Sequence, residues 1–311
     1  MKTATKSGVS IFSILLLSAL SATNAFAQDG VFEQTFTKSE PFVLEVDTGS
    51  GAIKVLSGPG DRVTVTGKIR VNRRFFGAKR GDADEIVQAV KDNPPIEIAN
   101  DRVRVGHFDD RNLRKNISIS YEIVVPTGTE VVAETGSGSI SVTAISAPVD
   151  VHTGSGSVKL ENIAGPVKAR TGSGSITADG VGGAFSGRTG SGSISLVQTA
   201  PGDVVVATGS GSSELKGVVG SVRASAGSGR ITVDGRQEGD WTLDTGSGGV
   251  RVSLPADAAF ELDAESSSGG IDIDHPLTVQ GQISKKHIRG QVRGGGPLLK
   301  IDTGSGGIRI R

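Results

Sequence analysis

The sequence contains no cysteine and few aromatic residues, with one Trp, one Tyr and ten Phe among 311 residues. The absence of cysteine excludes a disulfide framework, a thiolate metal site, a catalytic thiol and a lipid-modified N-terminal Cys. The shortage of bulky side chains predicts a thin, repetitive core of Val, Ile, Leu and Ala rather than a wide globular one.

An excess of either charge is also absent, because 33 Lys and Arg residues balance 33 Asp and Glu residues. Nucleic-acid-binding proteins usually concentrate basic residues on one face. We therefore expect no nucleic-acid partner.

Long apolar runs are missing except at the N-terminus. There, Lys2 and Lys6 precede an apolar run over residues 9–20, and Ala25 and Ala27 place small residues at the −3 and −1 positions of a cleavage site. This pattern is typical of a secretory signal peptide. The run is shorter than the roughly 20 residues that a membrane-spanning helix needs.

These features predict three segments. Residues 1–27 form a signal peptide, residues 28–39 lead into the domain, and residues 40–311 form that domain. We expect an exported protein that is periplasmic, secreted or at the cell surface, whose mature chain has no transmembrane segment.

The sequence is rich in glycine, with 46 residues, and many of them belong to a repeat. The motif Thr-Gly-Ser-Gly begins at Thr48, Thr135, Thr153, Thr171, Thr189, Thr208, Thr245 and Thr303, with degenerate copies at Ala226 and Ser266. Successive copies from Thr135 to Thr245 are 18 or 19 residues apart, which indicates a structural period.

Both flanks of each motif alternate between apolar and polar residues. The positions four and two before the Thr, and five and seven after it, are apolar or glycine, with Ser213 as the exception. This pattern predicts two half-buried strands per repeat. One such unit cannot bury its apolar face alone, so the repeats must stack.

We therefore predict an all-β fold: a single-chain β-solenoid, or β-helix, of about 18-residue repeats with a small helical insertion. Strands of successive coils should pair in parallel about 4.8 Å apart. A sandwich of β-hairpins is the alternative. The Thr of each motif should point inward and hydrogen-bond nearby backbone, while the corner glycines should supply positive φ angles.

The outward positions carry charges of both signs, which predicts a soluble surface without like-charge stacking between coils. A short basic patch comprises His152, Lys168, Arg170 and Arg188. We interpret it as a solvated face.

An insertion at about residues 72–95 separates the first repeat from the main array. Acidic residues at 82, 84 and 85 precede Ile86, Val87 and Val90, which predicts a short helix lying against an end or edge of the solenoid. The adjacent motif of Arg73, Arg74, Phe75 and Phe76 is the candidate partner-binding site.

Motifs that would carry chemistry are lacking. No glycine turn has the spacing of a phosphate loop, the four histidines lack the spacing of metal ligands, and Asp109 and Asp110 form the nearest approach to an acidic pair in a charged loop. We predict no catalytic, cofactor or metal site. A polysaccharide-active β-helix enzyme is the less favoured alternative.

Two stretches carry a family resemblance. Residues 121–128 (YEIVVPTG) lead into a TGSGSI array, and residues 294–310 (GGGPLLKIDTGSGGIRI) close the chain. Over roughly residues 40–311, this pattern resembles the bacterial adhesin-like β-solenoid domain family of unknown function. The resemblance implies a β-solenoid and offers no catalytic residues.

The functional expectation is a non-catalytic structural or adhesion-type module that presents a repetitive surface to a cell-envelope component or a protein partner. The alternative is an envelope-associated accessory subunit that docks a protein through the insertion at 72–95.

Overall fold

The protein is described by a computed structural model covering residues 30–71, 80–108, 117–279 and 284–311. This part of the chain contains 25 strands and one helix, α1 (Arg80–Asp92). The predicted all-β solenoid with a small helical insertion is therefore confirmed. The signal peptide at 1–27 and the motif at 73–76 lie outside the described residues.

The strands have the following first and last residues. They are β1 (Gly30–Thr37), β2 (Val43–Thr48), β3 (Ile53–Ser57), β4 (Arg62–Val71), β5 (Ile96–Ile98), β6 (Arg102–Val105), β7 (Ile117–Val125), β8 (Glu130–Thr135), β9 (Ile140–Thr143), β10 (Val149–Thr153), β11 (Val158–Ile163), β12 (Val167–Thr171), β13 (Ile176–Val181), β14 (Phe185–Thr189), β15 (Ile194–Gln198), β16 (Val204–Thr208), β17 (Ser213–Ala226), β18 (Ile231–Thr245), β19 (Val250–Ser253), β20 (Phe260–Ser266), β21 (Ile271–Ile273), β22 (Leu277–Thr278), β23 (His287–Val292), β24 (Leu298–Thr303) and β25 (Ile308–Ile310).

Each repeat of the central array forms one coil of the solenoid. From β8 to β19, equivalent strands of successive coils pair in parallel and keep the motif in register, so that Thr153 pairs with both Thr135 and Thr171. The predicted inward side chains of these coils are buried, including the single tryptophan, Trp241. Parallel stacking of coils is thus confirmed, and the hairpin sandwich is wrong.

The coil order departs from the chain order at both ends. Strand β24 lies between β18 and β20 and pairs in parallel with both, while β25 lies between β19 and β21. At the other end, β2 lies between β6 and β8, and β3 lies between β7 and β9. The expected stacking of successive coils is wrong at both ends. At the C-terminal end the chain makes the outer coil first and then fills the space inside it with β24 and β25. At the N-terminal end the inner strands β2 and β3 come first, and β6 and β7 are then added outside them.

Antiparallel strands cover the outer coils. Strand β4 pairs antiparallel with β7 and then with β1, and β23 pairs antiparallel with β20. Such pairing satisfies backbone groups that an open solenoid end would leave exposed. The segment before the last repeat supplies β23.

Helix α1 packs against β1 and β4, beside the first coils. Its apolar residues Ala83, Val87 and Val90 are buried, and Val87 lies directly against Gly30 of β1. The expected helix on an edge of the solenoid is present.

The stack of parallel strands that contains β19 and β25 ends at β21. No described strand pairs with the outer edge of β21, and Ile271 and Ile273 are only half-buried there. Both were expected to point fully inward. They lack the next coil that buries their equivalents elsewhere.

Candidate functional site

A ladder of threonine hydroxyls joins neighbouring coils by hydrogen bonds at the corner of the solenoid. The Oγ1 atom of Thr153 donates a hydrogen bond to the carbonyl oxygen of Gly138 in the preceding coil at 2.8 Å and accepts one from the backbone N–H of Gly156 at 3.1 Å. The same donation recurs at Thr48, Thr135, Thr171, Thr189, Thr208, Thr245, Ser266 and Thr303. The inward direction predicted for these threonines is confirmed.

The corner glycines are required for a different reason from the expected one. Positive φ angles occur at other glycines, such as Gly180 and Gly217, and not at the motif glycines. A Cβ atom on Gly156 would instead stand 1.9 Å from the carbonyl oxygen of Gly138. The motif excludes side chains because the corners of adjacent coils approach so closely.

The ladder has one defective rung. Ala226 occupies the Thr position and has no hydroxyl, and in the same coil region Ser213 replaces an inward aliphatic residue. The Ser213 hydroxyl is buried without a hydrogen-bond partner among the described residues. Buried polar groups of this kind reduce stability.

The outward position before each Thr carries charges in blocks. In spatial order, Asp47 pairs with Glu134 at one end, and Asp244, Asp302 and Glu265 stack at the other. The expected absence of like-charge stacking is therefore wrong. Solvent exposure makes such stacking tolerable, because water and salt screen exposed charges.

The basic patch predicted from the sequence is brought together on β10, β12 and β14. Arg170 pairs in register with both His152 and Arg188, and Lys168 forms an ion pair of 3.5 Å with Asp150. These side chains are exposed or half-buried on an open sheet face, as expected of a solvated surface.

An ion-pair cluster joins β20 to the covering strand β23. The Asp263 carboxylate accepts hydrogen bonds from Arg289 at 3.0 Å and lies 2.8 Å from Nε2 of His287. Burial by itself would raise the pKa of Asp263, but the bonds from Arg289 and His287 outweigh it and hold the pKa below its ordinary value. This cluster fastens the cover to the outermost coil.

A shallow groove lies at the corner of the last three coils, on β19, β25 and β21. Its volume is about 520 Å³, and its lining includes the side chains of Arg230, Arg251, Arg309 and Asp272. Its floor consists of glycines where other coils carry Ala, Ser or Arg: Gly249, Gly307 and Gly270. Sequence reasoning missed this groove because it exists only in the interleaved coil order.

One arginine of the groove has an ion-pair partner, whereas another has none among the described residues. Arg309 forms an ion pair of 3.0 Å with Asp272. Arg251 is half-buried, and its Nε atom is inaccessible to solvent and has no hydrogen-bond partner among the described residues. The groove therefore carries a formal charge of +2 in a chain whose net charge is zero.

The partner-binding motif Arg73, Arg74, Phe75 and Phe76 lies outside the described residues, and so do Asp109 and Asp110. Within the described ranges, no group of three or more His, Asp or Glu side chains is arranged to hold a metal ion. None of the helices in this part of the chain is long and apolar enough to cross a membrane.

Two solved structures and a family model are similar to this chain. None of the curated proteins matches this chain. A crystal structure of a "putative cell adhesion protein" from Clostridium sporogenes has 10% identity and a TM-score of 0.24, with 90% of this chain and 99% of that chain covered. A "putative adhesin" from Bacteroides fragilis has 11% identity and a TM-score of 0.40, with 91% and 97% covered.

Both TM-scores lie below 0.5, so neither structure establishes the fold or the function of this chain. The family model described as Toastrack DUF4097 matches residues 35–311, which is most of the chain and includes every motif copy. The chain therefore belongs to the Toastrack DUF4097 family.

Proposed function

We propose that this chain is an exported, non-catalytic structural and adhesion-type module of the cell envelope, active in the periplasm or at the cell surface. The signal-peptide pattern at residues 1–27 supports export. The main support for a presenting module is the rigid corner ladder, because Thr153 and its equivalents fix each coil to the next at constant register.

Such a rod holds its outward side chains at fixed spacings of about 4.8 Å per coil. A surface that needs no rearrangement on binding avoids the entropic cost of ordering flexible loops. The groove on β19, β25 and β21 favours binding over catalysis, since its lining contains three arginines and a single carboxylate, Asp272. Glycoside hydrolysis ordinarily requires two carboxylates.

The first test is fractionation of cells that express the chain with its own residues 1–27, followed by sedimentation of the purified mature chain, residues 28–311. Peptidoglycan, outer-membrane and whole-cell fractions would be compared across a salt titration. We expect export and saturable binding to at least one fraction. Retention in the cytoplasm, or no binding to any fraction, would refute the proposal.

The accessory-subunit alternative rests on Arg73, Arg74, Phe75 and Phe76. Replacing Phe75 and Phe76 by Ser, and Arg73 and Arg74 by Glu, should abolish association with a protein partner while the melting temperature is unchanged. Retained association of that variant would exclude docking through the insertion.

A further inference from the structure

We infer that the groove formed by β19, β25 and β21 is a binding site for a carboxylate-bearing polysaccharide. This inference deepens the proposed function and rests on it, because it names the chemistry of the envelope component that the module would hold. The charge, the shape and the hydrogen bonding of the groove floor support it.

The charge of the groove favours an anionic ligand. Arg230 is exposed at the corner of one coil, and Arg251 is half-buried on the next, and neither forms an ion pair with a described residue. Arg309 binds the carboxylate of Asp272 at 3.0 Å, so the groove already contains one guanidinium–carboxylate contact. Guanidinium groups bind carboxylates in a planar, two-pronged geometry.

The terminal nitrogens of Arg251 are open to a ligand. Its Nε atom is inaccessible to solvent, and the side chain forms no ion pair with a described residue, so a ligand can contact this guanidinium group only through its terminal nitrogens. Because Arg251 is half-buried, water and salt screen its charge less than at a fully exposed site. A carboxylate seated between Arg230 and Arg251 would pair with both guanidinium groups.

The groove floor is open because three stacked coils lack a side chain at the same corner position. A Cβ atom on Gly270 would meet no atom within 4 Å, and one on Gly249 or Gly307 would meet only a neighbouring carbonyl oxygen, at 3.2 or 3.6 Å. The space is therefore present in the folded chain without any movement. A ligand can lie along the solenoid axis across three coils.

The hydrogen bonding of the floor disfavours an acidic peptide. The carbonyl groups of Gly249, Gly307 and Gly270 accept bonds from the backbone of the neighbouring coils at 3.1, 3.0 and 2.9 Å. A peptide that adds as a strand needs an unpaired strand edge. Strands β19 and β25 are paired on both sides, so a strand could add only at the outer edge of β21. Recognition across β19 and β25 must come from side chains, which suits a polymer with regularly spaced charges.

The described groove also contains no aromatic ring on which a sugar could stack, because Trp241 and Tyr121 are buried in the core. Binding should therefore depend mainly on charge and weaken as salt is added. This expectation separates the groove from a sugar site built on aromatic platforms.

The test measures binding of the mature chain to polygalacturonate, with dextran as the neutral polymer, polyglutamate as the acidic peptide and polyphosphate as the phosphate polymer. The variants Arg230→Gln and Arg251→Gln should each weaken polygalacturonate binding about tenfold, the effect of losing roughly 1.4 kcal/mol. Arg223→Gln is the matched control, since Arg223 is exposed on β17 and lies outside the groove lining.

A second variant distinguishes loss of binding from loss of folding. Gly270→Phe adds a side chain where the structure has open space, so it should fill the groove and weaken binding while the melting temperature is retained. Equal binding of the groove variants and wild type would overturn the inference, as would tighter binding to polyglutamate or polyphosphate than to polygalacturonate.

The envelope sedimentation assay separates the two claims. If wild type and both arginine variants sediment equally with one envelope fraction, the groove inference fails and the proposed module stands. If wild type sediments with none, the proposed function itself fails.

Discussion

The side-chain hydroxyl of Thr171 donates a hydrogen bond to the carbonyl oxygen of Gly156 in the preceding coil, at 2.8 Å between the two oxygens. The same hydroxyl accepts a bond from the backbone N–H of Gly174 at 3.1 Å. The Thr171 side chain thus stabilises the turn of its own coil and links that turn to the neighbouring coil. Repetition of this unit along the solenoid accounts for the strict Thr-Gly-Ser-Gly motif.

Replacing Thr171 by Val keeps the shape of the side chain and removes both hydrogen bonds. The free energy of unfolding should fall by about 1–3 kcal/mol, because the carbonyl group of buried Gly156 and the N–H group of half-buried Gly174 lose their partner. Urea denaturation measures the change. The control is Thr177→Val, since Thr177 is exposed on the outer face of the same coil; equal effects of the two substitutions would contradict the role of the ladder.

The corner glycines give a steric prediction. Gly156→Ala should destabilise the fold by about 1–3 kcal/mol, because its Cβ atom would overlap the carbonyl oxygen of Gly138 and force the coils apart. Gly49→Ala is the matched control, since a Cβ atom there would meet nothing within 4 Å. Thermal melting of the two variants compares them directly, and an unchanged melting temperature for Gly156→Ala would disprove the close-approach explanation.

The defective rung at Ala226 predicts a stabilising substitution. By equivalence with the other coils, a threonine at this position would donate to the carbonyl oxygen of Gly211 and accept from the N–H of Gly229. Ala226→Thr should raise the free energy of unfolding by about 0.5–1.5 kcal/mol. Ala226→Val supplies the same bulk without the hydroxyl, so a gain that is equal in both variants would arise from packing and not from the hydrogen bonds.

The Asp263 cluster predicts a dependence of stability on pH. Since the pKa of folded Asp263 lies below its ordinary value of 3.8, its bonds to Arg289 and His287 stabilise the fold fully above that value and are lost as pH falls through the folded pKa. The stability difference between wild type and Asp263→Asn should therefore shrink between neutral pH and pH values below 3.8. A difference that is constant or grows on acidification would contradict this assignment.

Much of the fold follows from the sequence because the repeat carries its own geometry. The alternation around each motif gives the inward positions, and the two inward residues before Thr171 place its side chain in the core. The reason for the motif glycines does not follow, since a glycine that permits positive φ and one that permits close stacking look alike in a sequence. The φ angles of the motif glycines distinguish the two, as does the distance between a Cβ atom built on Gly156 and the carbonyl oxygen of Gly138.

The groove could not be predicted because it depends on coil order. The sequence places Gly249, Gly270 and Gly307 in three successive copies, and chain order alone stacks the coil of Gly249 on that of Gly270. In the structure, the coil of Gly307 lies between them, which sets Arg309 beside both Arg251 and Asp272. The spacing of the copies along the chain carries no signal for this insertion.

Paired cysteines can test the interleaved coil order, because the native chain has no cysteine of its own. Asp244, Asp302 and Glu265 are exposed, and Asp302 pairs in register with both of the others. Neighbouring coils are about 4.8 Å apart, within the Cα separation of roughly 4.4–6.8 Å that a disulfide spans. On oxidation, we expect rapid crosslinking in the Asp244→Cys/Asp302→Cys variant and none in the Asp244→Cys/Glu265→Cys variant. Crosslinking of residue 244 to residue 265 instead would show that the coils stack in chain order and would remove the groove.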